Sequence, residues 1–401
     1  MVRVLKDEKA IETFLTRGVE TIVPSPEALR EKLLSGDRIK AYSGFDPSGP
    51  NLHIGHAIGI RALRKLQELG HEAIFLVGDF TVICGDPSSG KSREIMSEEE
   101  IQKNMDGWKK QASLLIDFEG SNPAKFMRNS QWLSKLNLKN LIDLMSKTTV
   151  QQMIERELFQ KKLKERSPIG LQEFIYPLMQ GYDSVAMVVD LEIGGNDQIF
   201  YMIMGRQLYK IYNNKEKFVR AHELMEAPNT TTMSKTEGNG INLSDTAEDI
   251  YGKAMSYPDE LVLKGLRLLT EIPLQEIWEM EQSLKAGENP MKFKKIMAFE
   301  ITRMIKGDKE AKRAEKFFEK TVQNKEITEG TATKTKVHGT MQLIEFLKEV
   351  NSDASSNEIK RVVEQGGVEV NGNKITDPYL PINFEKGAIV KFGKRKFFEV
   401  V

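Results

Sequence analysis

The sequence predicts an α/β protein with a doubly wound parallel sheet, followed by an α-helical region and a small α+β module. Three observations predict it. Short apolar runs that end in Gly/Asp/Pro/Ser-rich loops alternate with helical patterns over the first part of the chain. From Asp245 the pattern becomes one of charged amphipathic helices. Beyond a Thr- and Gly-rich stretch, Met341 to Val401 returns to compact-domain composition with a strong turn signal.

The elements follow in order. Ile39 to Tyr42 reads as a strand running into the turn GFDPSGPN, and Leu52 to Leu69 has helical periodicity that stops at Gly70. A second apolar run, Ala73 to Val77, leads into the loop GDPSSGKS, and a third, Ser184 to Val189, leads into DLEIGGND. In doubly wound sheets ligands bind beyond the carboxyl ends of the strands, so these three polar loops are the candidate site. AEDIYGKAM and PMKFKKIMAFEITRMI are amphipathic helices, NKEITEGTATKTKVHG reads as a mobile linker, and LIEFLKEV begins the last module. In that module Asn371-Gly372 marks a hairpin. The expected organisation is a sheet domain over 1–244, a helical domain over 245–322, a linker over 323–338 and a terminal domain over 339–401.

Bulk composition bounds the function. The 401 residues exceed what one core usually organises, and 40% hydrophobic with 29% charged residues is a globular composition. No apolar run approaches the roughly 20 residues that cross a bilayer, and the amino terminus, MVRVLKDEKAIETF, lacks the apolar core of a secretory signal. A lone cysteine, Cys84, forms no internal disulfide and no paired-cysteine metal site, so a reducing, cytoplasmic setting is expected and no protein-bound metal. The 58 basic and 58 acidic residues cancel, so any nucleic acid must be held by local patches.

Two segments carry chemistry. His53-Ile54-Gly55-His56 opens the first helix, where two imidazoles on one face join backbone N–H groups and the positive dipole end as a receptor for phosphate. Alone, such a pair equally fits a metal-ligand pair or an exposed helix face. Thr232-Met233-Ser234-Lys235-Thr236-Glu237-Gly238-Asn239 sets one lysine among hydroxyls and glycines, in a loop able to bring charge to a phosphate chain. Alone it is a polar loop. Together and in this order they resemble the HIGH and KMSKS signature motifs of class I aminoacyl-tRNA synthetases.

The resemblance sharpens to the bacterial-type tyrosyl-tRNA synthetases through Ala41-Tyr42-Ser43-Gly44-Phe45-Asp46-Pro47, Gly85-Asp86-Pro87, Tyr176 to Asp183, and Gly194-Gly195-Asn196-Asp197-Gln198. It implies a Rossmann-like catalytic domain that makes tyrosyl-adenylate from L-tyrosine and ATP, with Mg2+ bound with the ATP, and then charges tRNA(Tyr). By position, Tyr42 and Asp183 would bind the tyrosine hydroxyl. Asp86, Tyr176 and Gln180 would hold its amino group, backed by Thr81, with Gln198 near the carboxylate. Gly44, Asp46, Ser48, His53, Gly55, His56, Gly195, Asp197, Met233, Ser234 and Lys235 would surround ATP, with His53, His56 and Lys235 catalytic. Taken singly, Tyr176, Gln180 and Tyr182 fit plain helix packing, and Asp183 a solvated helix residue. The resemblance also implies a homodimer, and apolar residues from Leu114 to Leu144 fit either its interface or a core. The last module resembles the alpha-L RNA-binding domain first known from a ribosomal protein, through Lys360, Arg361, the Gly366 to Gly372 hairpin, and Lys394, Arg395 and Lys396.

Two departures stand out. Thr232 occupies the place of the first lysine of the second motif, and the loop after Pro87 carries an extra serine, with Lys91 or Arg93 as a compensating cation. Three rivals remain open. GDPSSGKS matches the phosphate-loop pattern of an NTPase, with Val185 to Asp190 as its strand and aspartate, although Asp86 and Pro87 restrict the backbone nest. A non-catalytic RNA-binding relative fits the missing lysine. A tryptophan enzyme fits the class but gives no reason for Tyr42 beside Asp183.

Overall fold

In the computed structural model the described residues are 2–85, 96–227, 240–323, 332–351, 354–393 and 396–401. They form two compact units, one of residues 1–245 with 256–305 and the other of 246–255 with 306–401.

The first unit is organised by a six-stranded sheet of order β1-β6-β5-β2-β3-β4. Its strands are β1 (Val19–Val23), β2 (Lys40–Phe45), β3 (Glu72–Val77), β4 (Lys125–Arg128), β5 (Leu191–Gly195) and β6 (Phe218–His222). All neighbours are parallel except β1, which runs antiparallel to β6. The chain winds outward from β2 through β3 to β4, then restarts on the other side of β2 at β5. The junction of β2 and β5 is therefore the topological switch point, where loops diverge and leave a crevice.

The helix after β2 spans Ile54–Glu68, preceded in the chain by the helices Glu8–Thr16 and Pro26–Leu34, and Gly70 beyond it adopts φ +87°, which a glycine supplies without strain. Ile54, Ile58, Leu63 and Leu66 are among its buried residues, and it packs against β2, β3 and β5. Ser184 to Val189 is not the expected strand. The helix Leu171–Met187 runs through it and stops at Val188 in the left-handed region, and the strand begins only at Leu191. A short apolar run does not distinguish a buried helix end from a strand. Asp190 accepts the amide of Lys40 at 2.8 Å, so the aspartate of the NTPase reading fastens the start of β2.

The helical stretch 245–322 does not form one body. Residues 256–305 belong with the sheet, because Arg17 donates to the carbonyls of Leu266, Arg267 and Ile272, and Arg61 to those of Leu268 and Thr270. These two guanidiniums satisfy the free carbonyls at the end of the helix Val262–Leu269. In the second unit the helix Ala247–Met255 packs on Asp308–Phe318 through Tyr251 and Phe318, with Arg313 on Glu248.

The terminal domain contains a five-stranded sheet of order β10-β9-β12-β13-β7. Its strands are β7 (Thr333–Thr335), β9 (Val368–Val370), β10 (Asn373–Ile375), β12 (Ile389–Phe392) and β13 (Lys396–Val400). A separate pair joins β8 (Gly339–Gln342) to β11 (Pro381–Phe384). Asn371 and Gly372, at φ +48° and +81°, connect β9 to β10 as the tight turn their types favour. The expected linker over 323–338 is cut short, since Thr333–Thr335 pairs parallel with Phe398–Val400. Alternating threonines suit an edge strand as readily as a spacer, and pairing with β13 decides between them.

Candidate active site

The switch-point crevice is lined from four strand ends. Beyond β2 the chain reaches Asp46, whose carboxylate accepts the Thr81 hydroxyl at 2.7 Å and the Tyr176 hydroxyl at 2.8 Å. Gly78 permits this approach, since a Cβ there would collide with both Asp46 and Thr81. Beyond β4, Asn129 donates to Thr81 at 3.1 Å and to Asp183 at 3.2 Å, and Trp132 donates to the other Asp183 oxygen at 2.7 Å. Asp183 is only 3% exposed, and burial holds its carboxyl well above the usual range despite those two donors.

Tyr42, at 1% exposure, shares this floor. Its hydroxyl lies 2.9 Å from Ser184 Oγ, and burial together with the nearby Glu192 and Asp183 carboxylates pushes its ionisation well up. The phenol therefore stays protonated and remains a hydrogen-bond donor. Glu192, opposite Tyr42 in the β2–β5 register, pairs with the buried Lys217 and accepts from Gln180 at 3.3 Å.

The phosphate side is built differently. His53 is the N-cap of its helix, and its Nδ1 accepts the amide of Gly55 at 3.2 Å. His56 Nδ1 accepts the amide of His53 at 3.0 Å. Ile54 and His56 amides reach the carbonyls of Ile241 and His53. The expected receptor of bare backbone N–H groups is thus replaced, because the imidazoles themselves cap the helix. An accepting Nδ1 puts the ring proton on Nε2, so both histidines are Nε2–H donors. Their rings stand 3.8 Å apart.

The chain leaving the second motif is stitched to this helix start, with Ile54 donating to Ile241 and Leu243 to Leu52 at 2.9 and 2.8 Å. The described residues that follow the second motif therefore sit against the first. Across the crevice, Gln198 donates to Asp197 at 3.1 Å, and a Cβ on Gly195 would press on Leu224 at 2.7 Å.

Comparison with known proteins now decides the family. The family described as tRNA synthetases class I (W and Y) matches residues 34–323. A "Tyrosine--tRNA ligase" of Thermotoga maritima is 37% identical over 390 residues, 96% of each chain. One from Aquifex aeolicus is 36% identical, covering 97% of each. The chain belongs to the class I tRNA synthetases of the tryptophan and tyrosine family. A mitochondrial tyrosyl-tRNA synthetase of Aspergillus nidulans, with TM-score 0.65 and 21% identity over 77% of this chain and 92% of its own, shares the fold. So does one from Archaeoglobus fulgidus, with TM-score 0.60 and 22% identity over 77% of this chain and 99% of its own.

For this synthetase, Asp46, Thr81, Tyr176 and Asp183 fall in one connected network joined through Asn129, while Tyr42 and Gln180 fall in a second through Ser184 and Glu192. Gly44 lies exposed at the end of β2, and Ser48 donates its amide to the Asp46 carbonyl at 2.8 Å. Asp86, Lys91, Arg93, Thr232, Met233, Ser234, Lys235, Lys394 and Arg395 lie outside the described residues. In the terminal domain Lys360 and Arg361 are exposed on the helix Ser356–Glu364, Lys360 lying over the Tyr379 ring, while Lys396 is engaged with Asn351 at 2.7 Å.

Sequence reasoning missed Asn129, Trp132, Ser184, Glu192 and Lys217. The first two follow β4, whose four residues KFMR carry no apolar run. Lys217 closes the charged string NNKEK, which reads as a solvated turn, yet it is fully buried.

Proposed function

We propose that this synthetase is a tyrosine–tRNA ligase, which activates L-tyrosine with ATP to tyrosyl-adenylate and pyrophosphate and then esterifies the 3′ end of tRNA(Tyr). The observation that carries the amino-acid choice is the buried pairing of a neutral phenol, Tyr42, with a carboxylate, Asp183, on one pocket floor. A substrate hydroxyl satisfies both groups, whereas hydrogen or an indole leaves a buried polar atom without its partner, at about 1–3 kcal/mol. Near-full-length relatives named tyrosine–tRNA ligases support the same reading.

The chemistry needs no protein nucleophile. The tyrosine carboxylate attacks the α-phosphate in line and pyrophosphate leaves, so the protein supplies positioning and charge. Asp86, Tyr176 and Gln180 would hold the amino group and Gln198 the carboxylate. Gly195 and Asp197 would face the ribose, while His53 and His56 would donate from Nε2 to the phosphates. Lys235 would stabilise the leaving pyrophosphate. Mg2+ would arrive with the ATP phosphates. Among the described residues no group of three or more His, Cys, Asp or Glu side chains is set to hold an ion, so no step is assigned to the protein's own ligation of it.

Charging would engage Lys360, Arg361, Lys394, Arg395 and Lys396 of the terminal domain. Leu138, Ile142, Val150 and Leu171, between 59% and 81% exposed on the helices joining β4 to β5, fit a homodimer interface. No described helix is long and apolar enough to cross a membrane, and the chain would work in the cytoplasm.

Amino-acid-dependent exchange of pyrophosphate into ATP tests the reading. Tyrosine alone among the standard amino acids should drive it. Exchange driven by tryptophan would transfer the chain to the other branch of the family, and no exchange with any amino acid would make it a non-catalytic relative.

A further inference from the structure

Beneath the Tyr42–Asp183 floor lies a buried lysine that the reaction described above does not use. Lys217 is 0% exposed, and charged groups are rarely buried so completely unless paired. Its position is built. Arg206 Nε donates to the Lys217 carbonyl at 2.9 Å, and Gly205 clears the space at its tip, where a Cβ would stand 2.8 Å from Nζ. There the ammonium pairs with Glu192 and donates to Ser184 Oγ at 2.7 Å.

Counting protons gives this cluster a direction. An ammonium can only donate, so Ser184 Oγ accepts from Lys217 and has one hydrogen of its own to place. Two acceptors are near, Tyr42 Oη at 2.9 Å and Glu192 Oε2 at 3.5 Å. Glu192 already receives Lys217 on one oxygen and Gln180 on the other. The shorter contact and the unmet acceptor select Tyr42. Accepting from Ser184 leaves Tyr42 its own hydrogen to place, with the Glu192 side chain, already met by Lys217 and Gln180, and an oxygen above it as the competing acceptors.

We propose that Lys217 and Ser184 are positioning residues that fix the direction of the Tyr42 hydroxyl, so that the floor offers a donor from Tyr42 and an acceptor from Asp183 to the same substrate oxygen. The proposal rests on the reading of Tyr42 and Asp183 as the tyrosine-hydroxyl site. Donors then run in one sense from the Lys217 ammonium through Ser184, Tyr42 and the substrate phenol to the Asp183 carboxylate, a chain whose bonds polarise one another. A ligand completes it only with an oxygen that both accepts and donates.

The test is pyrophosphate exchange by the full chain, measured as kcat/KM for tyrosine and for phenylalanine. Ser184→Ala and Lys217→Met are each made in the native and in the Tyr42→Phe background. Ser184→Ala keeps the Lys217–Glu192 ion pair, and should lower kcat/KM for tyrosine roughly threefold to tenfold, the size of one neutral hydrogen bond, with phenylalanine unchanged. In the Tyr42→Phe background neither substitution should lower it further, since the relay then has nothing to orient. Equal losses for both amino acids, no loss for tyrosine, or a full additional loss on top of Tyr42→Phe would each overturn the proposal. Should Lys217→Met, which strands Glu192, prove insoluble, Ser184→Ala decides alone. If Tyr42→Phe itself leaves selectivity intact, it is the tyrosine-site reading that fails rather than the relay built on it.

Discussion

In the sheet-bearing unit Asp183, Glu192, Lys217, Arg220 and His222 are all buried, whereas from Leu343 to Val400 the buried set among the described residues is apolar apart from Asn351. The terminal domain follows the cheaper rule. Leu343, Phe346, Leu347, Ile359 and Val363 fill its inside, and Lys360 and Arg361 stay in water. The sheet unit instead takes ionisable groups out of water, which is tolerable only where each finds partners. Asp183 and Ser184 come from a helix, Glu192 and Lys217 from the amino ends of β5 and β6, and Asn129 from beyond the carboxyl end of β4, so that the fold gathers fixed donors and acceptors about the candidate site. The contrast separates residues that hold a fold from residues that hold a substrate, and substitutions on the two sides should divide stability from selectivity.

The largest expected effect lies on the apolar side. Phe346 is fully buried and stacks on Phe384 with ring centroids 3.9 Å apart. Phe346→Ala should destabilise the terminal domain by about 3–5 kcal/mol while leaving tyrosine-dependent pyrophosphate exchange at its native rate. Thermal unfolding followed alongside exchange checks both halves. A matching fall in exchange would mean that the activation site depends on the terminal core, and the contrast would break.

Lys235→Ala follows on the functional side. As the cation of the second motif, with Thr232 in place of the usual first lysine, it should contribute mainly as the pyrophosphate leaves. Its loss should lower kcat by about 10²–10³, roughly 3–4 kcal/mol, with little change in the KM for ATP. Pre-steady-state formation of tyrosyl-adenylate is the measurement, and a mutant with normal kcat and a raised KM would make Lys235 a ground-state binding residue.

Acid should separate the units as well. Burial lowers His222 from 6.5 to about 4. With the folded value below the unfolded one, the unfolded chain takes up the proton first. The stability present above pH 6.5 is therefore lost as pH falls towards 4, by about 3 kcal/mol in all. His338 in the terminal domain is exposed. Burial lowers His71 of the same unit to about 4 as well, so His222→Gln should remove about half of the slope of the sheet unit's stability between pH 6.5 and 4, as read from denaturant midpoints. An unchanged slope would show that His222 is not what makes the unit acid-sensitive.

How much of this was legible follows from which residues announce themselves locally. The helix from Ile54, the stop at Gly70 and the Asn371-Gly372 turn depend on neighbours in sequence, and the chain writes them plainly. β4 does not, because Lys125 and Arg128 flank only Phe126 and Met127, and pairing with β3 makes the strand. The network behind the floor was invisible for the same reason: Ser184, Glu192 and Lys217 stand on a helix, a strand and a loop end, and only the fold makes them neighbours. The histidines were legible, but nothing in HIGH reveals that their Nδ1 atoms accept the amides of His53 and Gly55.

The smallest effects test the floor itself. Asp183 receives Trp132 and Asn129, so it is held in place whatever the substrate does, and its carboxylate is the acceptor for the ligand hydroxyl. Removing a charged acceptor from a buried hydrogen bond is worth about 1.5–3 kcal/mol, and Asp183→Ala should lower kcat/KM for tyrosine by that amount. It also leaves the Trp132 and Asn129 donors unmet, so some loss of stability should accompany it. Tyr42→Phe removes one neutral donor at nearly constant shape and should lower tyrosine use by only about 0.5–1.5 kcal/mol. Ser184 then loses its acceptor, but its hydroxyl has Glu192 within 3.5 Å to turn to, so stability should scarcely change. Phenylalanine, which uses neither group, should be activated no worse by Tyr42→Phe than by the native enzyme. Parallel kcat/KM values for the two amino acids in both variants measure this, and a Tyr42→Phe enzyme that loses activity equally towards tyrosine and phenylalanine would show that the floor supports the pocket without recognising the hydroxyl.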